Sequence, residues 1–175
     1  MRGICKGFFN RIQKGRGFMG VEIERKFKVA DTFRPTGIGI EMAQGYLSRD
    51  PNRTVRIRTT GIQGFLTIKG KTEGARRLEY EYEIPLAEAQ ELLALCDEPL
   101  VEKTRYVENF AAHVWEVDIF HGANAGLVVA EIELMSETEE FTLPPWIGAE
   151  VTGLKRYYNA ALIAHPYRLW RAEER

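Results

Sequence analysis

The sequence predicts an α+β fold, mainly β, in which a closed eight-stranded antiparallel β-barrel forms a tunnel with a charged lumen and helices packed outside. Three observations lead to this prediction. Short segments of alternating charged and apolar residues recur along the chain, turn-forming residues join most of them, and only two segments change to helical spacing. Eight antiparallel strands are about the number that closes into a barrel able to hold side chains or one small ligand.

The first strand is predicted at Val21–Val29, where the alternation is strict. Successive side chains of a strand point to opposite faces, so Glu22, Glu24, Lys26 and Lys28 share one face and apolar residues occupy most of the other. One such segment is typical of a half-buried strand. Its repetition along the chain makes the charged face a feature of the whole fold.

Four more strands follow before the first helix. They are predicted at Gln44–Ser48, Arg53–Thr60, Phe65–Lys71 and Leu78–Ile84. Gly61–Gly64 and Thr72–Gly74 are predicted turns, because glycine permits the positive φ that tight hairpins require.

Two segments with helical spacing divide the remainder of the chain. Pro85–Asp97 carries apolar residues at steps of three and four and begins with proline, a residue favoured in the first helical turn. Leu154–Ile163 shows the same spacing and is limited by Pro166. Between them, strands are predicted at Val101–Val107, Val114–Phe120 and Leu127–Leu134.

The length of 175 residues fits one domain, which we place at residues 19–166. Residues 1–18 contain five bases and no acid, and we expect them to form a disordered basic extension. An organelle-targeting or membrane-touching segment, or a start codon placed upstream of Met19, are the alternatives. Residues 167–175 are expected to form a C-terminal tail.

The overall charge excludes some classes of partner. A net charge of −1 offers no general attraction for nucleic acid, and the sequence contains no apolar run long enough to span a bilayer. Two cysteines, Cys5 and Cys96, are too few for a disulfide-stapled secreted domain, so a cytoplasmic setting is expected. The three histidines show no metal-ligand spacing with the cysteines, which argues against zinc.

The direction of the charged faces decides what the barrel can do. If they faced outward, the barrel would be a packed and inert scaffold. We favour the inward direction, because the apolar face includes bulky residues such as Trp115 and Tyr80 and because two helices need apolar surface to cover. The acids on these faces are Glu22, Glu24, Glu79, Glu81, Glu83, Glu116, Asp118, Glu131 and Glu133, and the bases are Lys26, Lys28, Arg56, Arg58, Lys69, Lys71, Lys103 and Arg105.

Enclosed charges must pair or meet a ligand, because desolvating an unpaired ion costs several kcal/mol. Arginine and lysine side chains can neutralise a chain of phosphates. Carboxylates on neighbouring strand positions can hold Mg²⁺, which typically uses one or two protein carboxylates and completes its shell with water and substrate phosphate oxygens. The pattern therefore favours a polyanion and a metal ion as ligands.

The E-x-E-x-K run at Glu22, Glu24 and Lys26 resembles the defining motif of the CYTH domain family, also called triphosphate tunnel metalloenzymes. Further strings resemble the short bacterial branch of that family in the same order. They are T-V-R-I-R at Thr54–Arg58, F-L-T-I-K-G at Phe65–Gly70, E-Y-E-I at Glu81–Ile84, K-T-R-Y at Lys103–Tyr106, W-E-V-D-I-F at Trp115–Phe120, A-E-I-E-L at Ala130–Leu134 and R-Y-Y-N at Arg156–Asn159. The resemblance covers about Met19 to Pro166.

This resemblance implies hydrolysis of inorganic triphosphate to pyrophosphate and phosphate, dependent on Mg²⁺ or Mn²⁺. It places metal ligands at Glu22, Glu24, Glu131 and Glu133, and we add Asp118 from the same charged faces. It places phosphate-binding bases at Lys26, Arg56, Arg58, Lys69, Lys103 and Arg105. Tyr46 would act as proton acceptor and Lys26 as a further catalytic residue.

Several alternatives remain open within the same fold. The tunnel could serve an adenylate cyclase, a nucleoside or thiamine triphosphatase, or a polyphosphate-binding module without turnover. A metal-bound water could replace Tyr46 in generating the nucleophile. Many relatives carry an acid where this chain has Gly153 and Leu154, which could alter metal preference or substrate length. The protein is expected to be a monomer or homodimer.

Overall fold

The computed structural model describes residues 21–73 and 75–175, which form nine strands and two α-helices. The strands are β1 (Val21–Val29), β2 (Ile40–Ser48), β3 (Arg53–Thr60), β4 (Gln63–Gly70), β5 (Arg76–Ile84), β6 (Val101–Phe110), β7 (His113–Phe120), β8 (Val128–Glu133) and β9 (Ile147–Glu150). The helices are α1 (Leu86–Leu93) and α2 (Asn159–Ala164). Short 3₁₀ turns lie at Gly122–Asn124, Lys155–Tyr157, Tyr167–Leu169 and Ala172–Glu174.

Eight of the strands close into a barrel. They pair in the order β5-β4-β3-β2-β6-β7-β8-β1, every pair is antiparallel, and β5 returns to β1 through three residue pairs from Val21–Leu78 to Ile23–Arg76. The predicted eight-stranded antiparallel barrel is confirmed. β9, which the sequence analysis did not predict, joins the second half of β1.

One edge of β1 changes partner along its length. It pairs with β5 up to Ile23 and with β9 from Phe27 onward, so the amide of Lys26 lies between the two. That amide donates to the Thr152 hydroxyl, at 2.9 Å, and the Val151 amide donates to the Lys26 carbonyl, at 2.8 Å. A side-chain oxygen thus replaces a backbone partner at the change of strand.

The outer surface of β1, β7 and β8 carries one apolar core. Phe27, Trp115 and Ile132 are buried there beneath the segments before β2 and after β8. The rings of Trp115 and Trp146 lie 5.9 Å apart, edge to face. On another side, α1 packs outside the barrel so closely that a Cβ at Gly64 would lie 2.5 Å from the Cβ of Ala89.

A second apolar core closes one end of the lumen. It joins inward-facing side chains of the barrel to the C-terminal segment, whose α2 lies across this closed end. The barrel contributes Tyr46, Val101, Phe120 and Val129, and the C-terminal segment contributes Val151, Tyr157, Leu162, Ile163 and Trp170. Residues 167–175, expected as a tail, therefore supply Trp170 to the core.

The helical segments are shorter than their spacing predicts. After Leu93 the chain turns back to β2, where the Asp97 amide donates to the Tyr46 carbonyl at 3.3 Å. Leu154–Ile163 is interrupted at Tyr158, whose extended backbone separates a 3₁₀ turn from α2. The expected extension at residues 1–18 lies outside the described residues. Among the described helices, none has the length and apolar character needed to cross a membrane.

Trp170→Ala tests the contribution of the C-terminal segment to the closed end. Trp170 is 3% exposed, so truncation should lower the free energy of unfolding by about 3–5 kcal/mol, measured by urea denaturation. Leu169→Ala is the matched control, because Leu169 is 66% exposed and should change stability little. Equal stability of Trp170→Ala and wild type would contradict this packing.

Candidate active site

Most of the charged positions predicted for the inner faces point into the lumen. Lys71 is an exception, because it lies beyond the end of β4 and is exposed. The six bases expected to bind substrate are all buried: Lys26, Arg56, Arg58, Lys69, Lys103 and Arg105. Each lies within 4 Å of a carboxylate. The interior is therefore a network of mutual ion pairs.

The carboxylates of β1 pair with bases from β4 and β5. The Arg77 Nε donates to Glu22 at 2.7 Å, and a terminal nitrogen of Arg77 lies 3.5 Å from Glu24. Lys69 lies 3.6 Å from Glu22 and 2.6 Å from Glu79. This group joins both predicted β1 metal ligands to one predicted phosphate-binding lysine.

Arg77 is a lumen residue that the sequence analysis missed. The predicted strand began at Leu78, one residue too late to include it. Arg77 stands two positions before Glu79 on β5, and strand alternation therefore places it on the same inward face. That periodicity is the signal that could have identified it.

A second group surrounds Glu131 and Asp118. The Lys26 Nζ lies 2.7 Å from Glu131, and Arg105 contacts both Glu131, at 3.0 Å, and Asp118, at 2.6 Å. Lys103 also donates to Asp118, which is 1% exposed. Asp118, predicted as a metal ligand, here lies between two cations as their counter-ion.

A third group is centred on Glu81. Its carboxylate accepts hydrogen bonds from Arg56 at 3.1 Å, Arg58 at 2.9 Å and the Thr67 hydroxyl at 2.8 Å. Glu81 therefore holds two predicted phosphate-binding arginines side by side on β3.

Two further predicted residues occupy different parts of the barrel. Glu133 is exposed and lies directly opposite Glu24 in the β1–β8 register. Tyr46 is buried on β2, where its hydroxyl accepts a hydrogen bond from the Gln44 amide at 3.3 Å. The network thus includes the predicted site residues from β1, β3, β4, β6, β7 and β8, with Tyr46 facing it from β2.

The enclosed charges shift one another's pKa values. Burial, reinforced by the negative charge of Glu131, raises the pKa of Glu24. Burial would also raise the pKa of Glu131, but Lys26 and Arg105 hold it well below its usual range. Burial, together with Arg105, lowers the pKa of Lys103 to about 8. Burial opposes the charge on Lys26, yet Glu131 and Glu24 raise its pKa overall.

The carboxylates near β1 fit a divalent cation. Lys26 lies within 4 Å of both Glu24 and Glu131, and Arg77 lies within 4 Å of both Glu22 and Glu24. These carboxylates are therefore joined in pairs by shared cations. Among the described residues, no three acidic, histidine or cysteine side chains already converge as a metal shell. Mg²⁺ needs only one or two protein carboxylates when water and phosphate oxygens complete its coordination.

Comparison with known proteins identifies the family. Residues 20–164 match the CYTH domain. The chain belongs to the CYTH domain family. The match contains every predicted site residue, from Glu22 to Glu133, and membership of this family implies a metal-dependent enzyme.

Relatives of this CYTH protein include two proteins named inorganic triphosphatase. The one from Acetivibrio thermocellus is 49% identical over 152 residues, covering 86% of this chain and 97% of that protein. The one from Nitrosomonas europaea is 40% identical over 147 residues, covering 81% and 95%. A crystal structure of an inorganic triphosphatase is 37% identical, covers 84% of this chain and 97% of that one, and has a TM-score of 0.61.

Asp118→Asn tests the counter-ion position of Asp118. Leaving Lys103 and Arg105 without their shared carboxylate should lower the free energy of unfolding by about 3–5 kcal/mol at neutral pH. Burial opposes the ionisation of Asp118, but Arg105 and Lys103 lower its pKa below the usual 3.8, so its contribution is present above that pH and disappears as the pH falls further.

Denaturant unfolding between pH 7 and pH 2 would measure both effects. The variant should lose less stability than wild type on acidification. Asp97→Asn is the control, because the Arg49–Asp97 pair is largely exposed and contributes less than about 1 kcal/mol. An Asp118→Asn protein as stable as wild type at pH 7 would show that the two cations do not depend on this carboxylate.

Proposed function

We propose that this CYTH protein hydrolyses inorganic triphosphate to pyrophosphate and phosphate with the aid of Mg²⁺ or Mn²⁺. The observation that carries the proposal is the enclosed network of bases and carboxylates inside a closed barrel. The names of the two relatives and of the similar crystal structure support it. We place the enzyme in the cytoplasm, as a monomer or homodimer acting on a small molecule.

Binding would exchange partners within the network. Phosphate oxygens can take over the nitrogen donors that the carboxylates now hold, and arginine offers a planar fork that suits them. We assign phosphate binding to Lys26, Arg56, Arg58, Lys69, Lys103 and Arg105, and we add Arg77. A divalent cation would in turn neutralise the carboxylates proposed to bind it. These are Glu22, Glu24, Glu131 and Glu133, and Asp118 is the further member of the proposed set.

The geometry supports phosphoryl transfer because that reaction needs mainly positioning and charge neutralisation. A water oxygen forms a bond to the terminal phosphorus, the bridging P–O bond breaks, and pyrophosphate leaves with the electron pair. Lys26 stays protonated, because Glu131 and Glu24 raise its pKa, and so neutralises charge on the phosphates. We assign the acceptor of the water proton to Tyr46.

Substrate comparison tests the proposed function directly. The purified protein with Mg²⁺ or Mn²⁺ should release phosphate from tripolyphosphate faster than from ATP or thiamine triphosphate, and EDTA should abolish the release. A tenfold or greater preference for ATP or thiamine triphosphate would reject the inorganic substrate. Formation of cyclic AMP would indicate a cyclase, and tight binding without turnover under any divalent metal would indicate a binding module.

Glu24→Gln tests the metal assignment. Turnover should fall by about 100-fold or more, because a carboxylate proposed to hold the cation is lost. Stability should not fall, since the folded state already raises the pKa of Glu24 and therefore disfavours its charge at neutral pH. Glu88→Gln, at an exposed position of α1 outside the barrel, should keep wild-type turnover. Near wild-type activity in Glu24→Gln would contradict the assignment.

The pH dependence of turnover tests Tyr46. Burial raises the pKa of Tyr46 above its usual 10.0, although Arg56, Arg77 and Lys26 oppose this shift. Its hydroxyl is therefore protonated at neutral pH, and a role as proton acceptor requires turnover to increase through the alkaline range. Tyr46→Phe should lose that increase in a kcat–pH profile. An unchanged alkaline limb in the variant would assign the proton to another acceptor.

A further inference from the structure

Gln44 is the neighbour of Tyr46 on the inward face of β2. Its side chain is fully buried, and strand alternation places it between Met42 and Tyr46 on that face. Its Nε2 donates to the Tyr46 hydroxyl at 3.3 Å. Its Oε1 is buried and, among the described residues, has no hydrogen-bond partner.

A buried carbonyl oxygen without a donor is unfavourable, and an apolar side chain of the same shape would avoid that penalty. An unmatched acceptor inside a substrate chamber therefore indicates a ligand that supplies the missing N–H or O–H. The terminal nitrogens of the neighbouring bases are engaged, since Arg56 donates to Glu81 and Lys103 donates to Asp118. The buried Nε of Arg56, which lies opposite Tyr46 in the β2–β3 register, also lacks a hydrogen-bond partner among the described residues, so a molecule that both donates and accepts would suit this position. The oxygens of a fully ionised triphosphate are acceptors and cannot supply the donor either.

A water molecule meets this requirement. Water donates two hydrogen bonds, and buried waters are found where two to four polar atoms converge. The oxygens of Gln44 and Tyr46 lie on the same strand face, and the adjacent Val101 belongs to the apolar core at the closed end. The apolar surface on the Val101 side, facing the arginines of β3 on the other, leaves room for few waters and so favours one bound molecule.

The position of β2 in the barrel would allow a water bound there to act as the nucleophile. In the barrel order, β2 is separated from β1 by four steps in either direction, so Gln44 faces the β1 wall across the lumen. Lys26 and the carboxylates proposed to hold the metal lie on or beside that wall. A triphosphate bound between the walls would lie between the carboxylates proposed to hold the metal and a water held on β2.

We propose that Gln44 positions the attacking water by accepting a hydrogen bond from it at Oε1. The inference rests on the proposed triphosphatase function and adds a positioning residue to it. Gln44 takes no proton. The water oxygen bonds to the terminal phosphorus, its other hydrogen passes to the ionised Tyr46 oxygen, and the bridging P–O bond breaks as pyrophosphate leaves with the electron pair. A glutamine that orients the attacking water is a known solution in phosphoryl transfer.

Three variants test the role of Gln44. Gln44→Met removes the acceptor and nearly preserves shape, Gln44→Glu preserves an acceptor oxygen, and Met42→Leu is a control on the same face of β2. The measurements are kcat and KM for tripolyphosphate with Mn²⁺, the Kd of the non-hydrolysable imidotriphosphate, the Kd of Mn²⁺, and the melting temperature.

Gln44→Met should lower kcat by about 10- to 100-fold, because the water loses its orientation. KM and both Kd values should stay within about threefold of wild type, and the melting temperature should not fall, since an unmatched acceptor has been removed. Gln44→Glu should retain kcat within about tenfold of wild type. Met42→Leu should match wild type in every measurement.

Three results would overturn the proposal. Wild-type kcat in Gln44→Met would show that the water needs no help from Gln44. A parallel loss of imidotriphosphate affinity would make Gln44 a substrate-binding residue, and a loss confined to Mn²⁺ affinity would make its oxygen a metal ligand. A wild-type protein that does not cleave tripolyphosphate would instead reject the proposed function, and the role of Gln44 with it.

Discussion

The enclosure of many charges in a small closed barrel is the constraint on which this structure depends. An ion removed from water must find an opposite charge or a dense set of hydrogen bonds. In the described lumen, seven bases each lie within 4 Å of a carboxylate. They are Lys26, Arg56, Arg58, Lys69, Arg77, Lys103 and Arg105. The same groups that pair with one another in the lumen are those proposed to receive a polyanion and a cation together.

The lumen is not uniform along its length. Toward one end its inward positions become apolar, at Val101, Phe120 and Val129, and the C-terminal segment packs against them. The charged groups lie beyond this closed end, with Tyr46 at the boundary between the two environments. A substrate that enters from the charged side therefore reaches an apolar surface at the closed end and not an open channel. This surface favours exclusion of bulk water during phosphoryl transfer.

The barrel and its charged interior could be predicted because strand alternation is a local property of the sequence. The same alternation would have revealed Arg77 if it had been followed one residue before Leu78. It also places Phe120, the last residue of the predicted strand, on the inward face with Asp118, which indicates an apolar end of the lumen. The short strand β9 could not be predicted, since its four residues carry no alternation and depend on the free edge of β1. The partners within the ion pairs could not be predicted from the sequence either. Contacts such as Lys69–Glu22 join strands that are distant in sequence and depend on barrel closure.

The Thr152 hydroxyl accepts a hydrogen bond from the Lys26 amide and so links the end of the outer strap, residues 135–151, to β1. Because this link is a side chain rather than part of a continuous ladder, β1 can be shared between the barrel wall and the strap without an orphaned amide. The strap and the barrel wall therefore share β1, whose two faces carry the apolar core at Phe27 and the lumen charge at Lys26. One strand thus serves both the outer packing and the inner charge network.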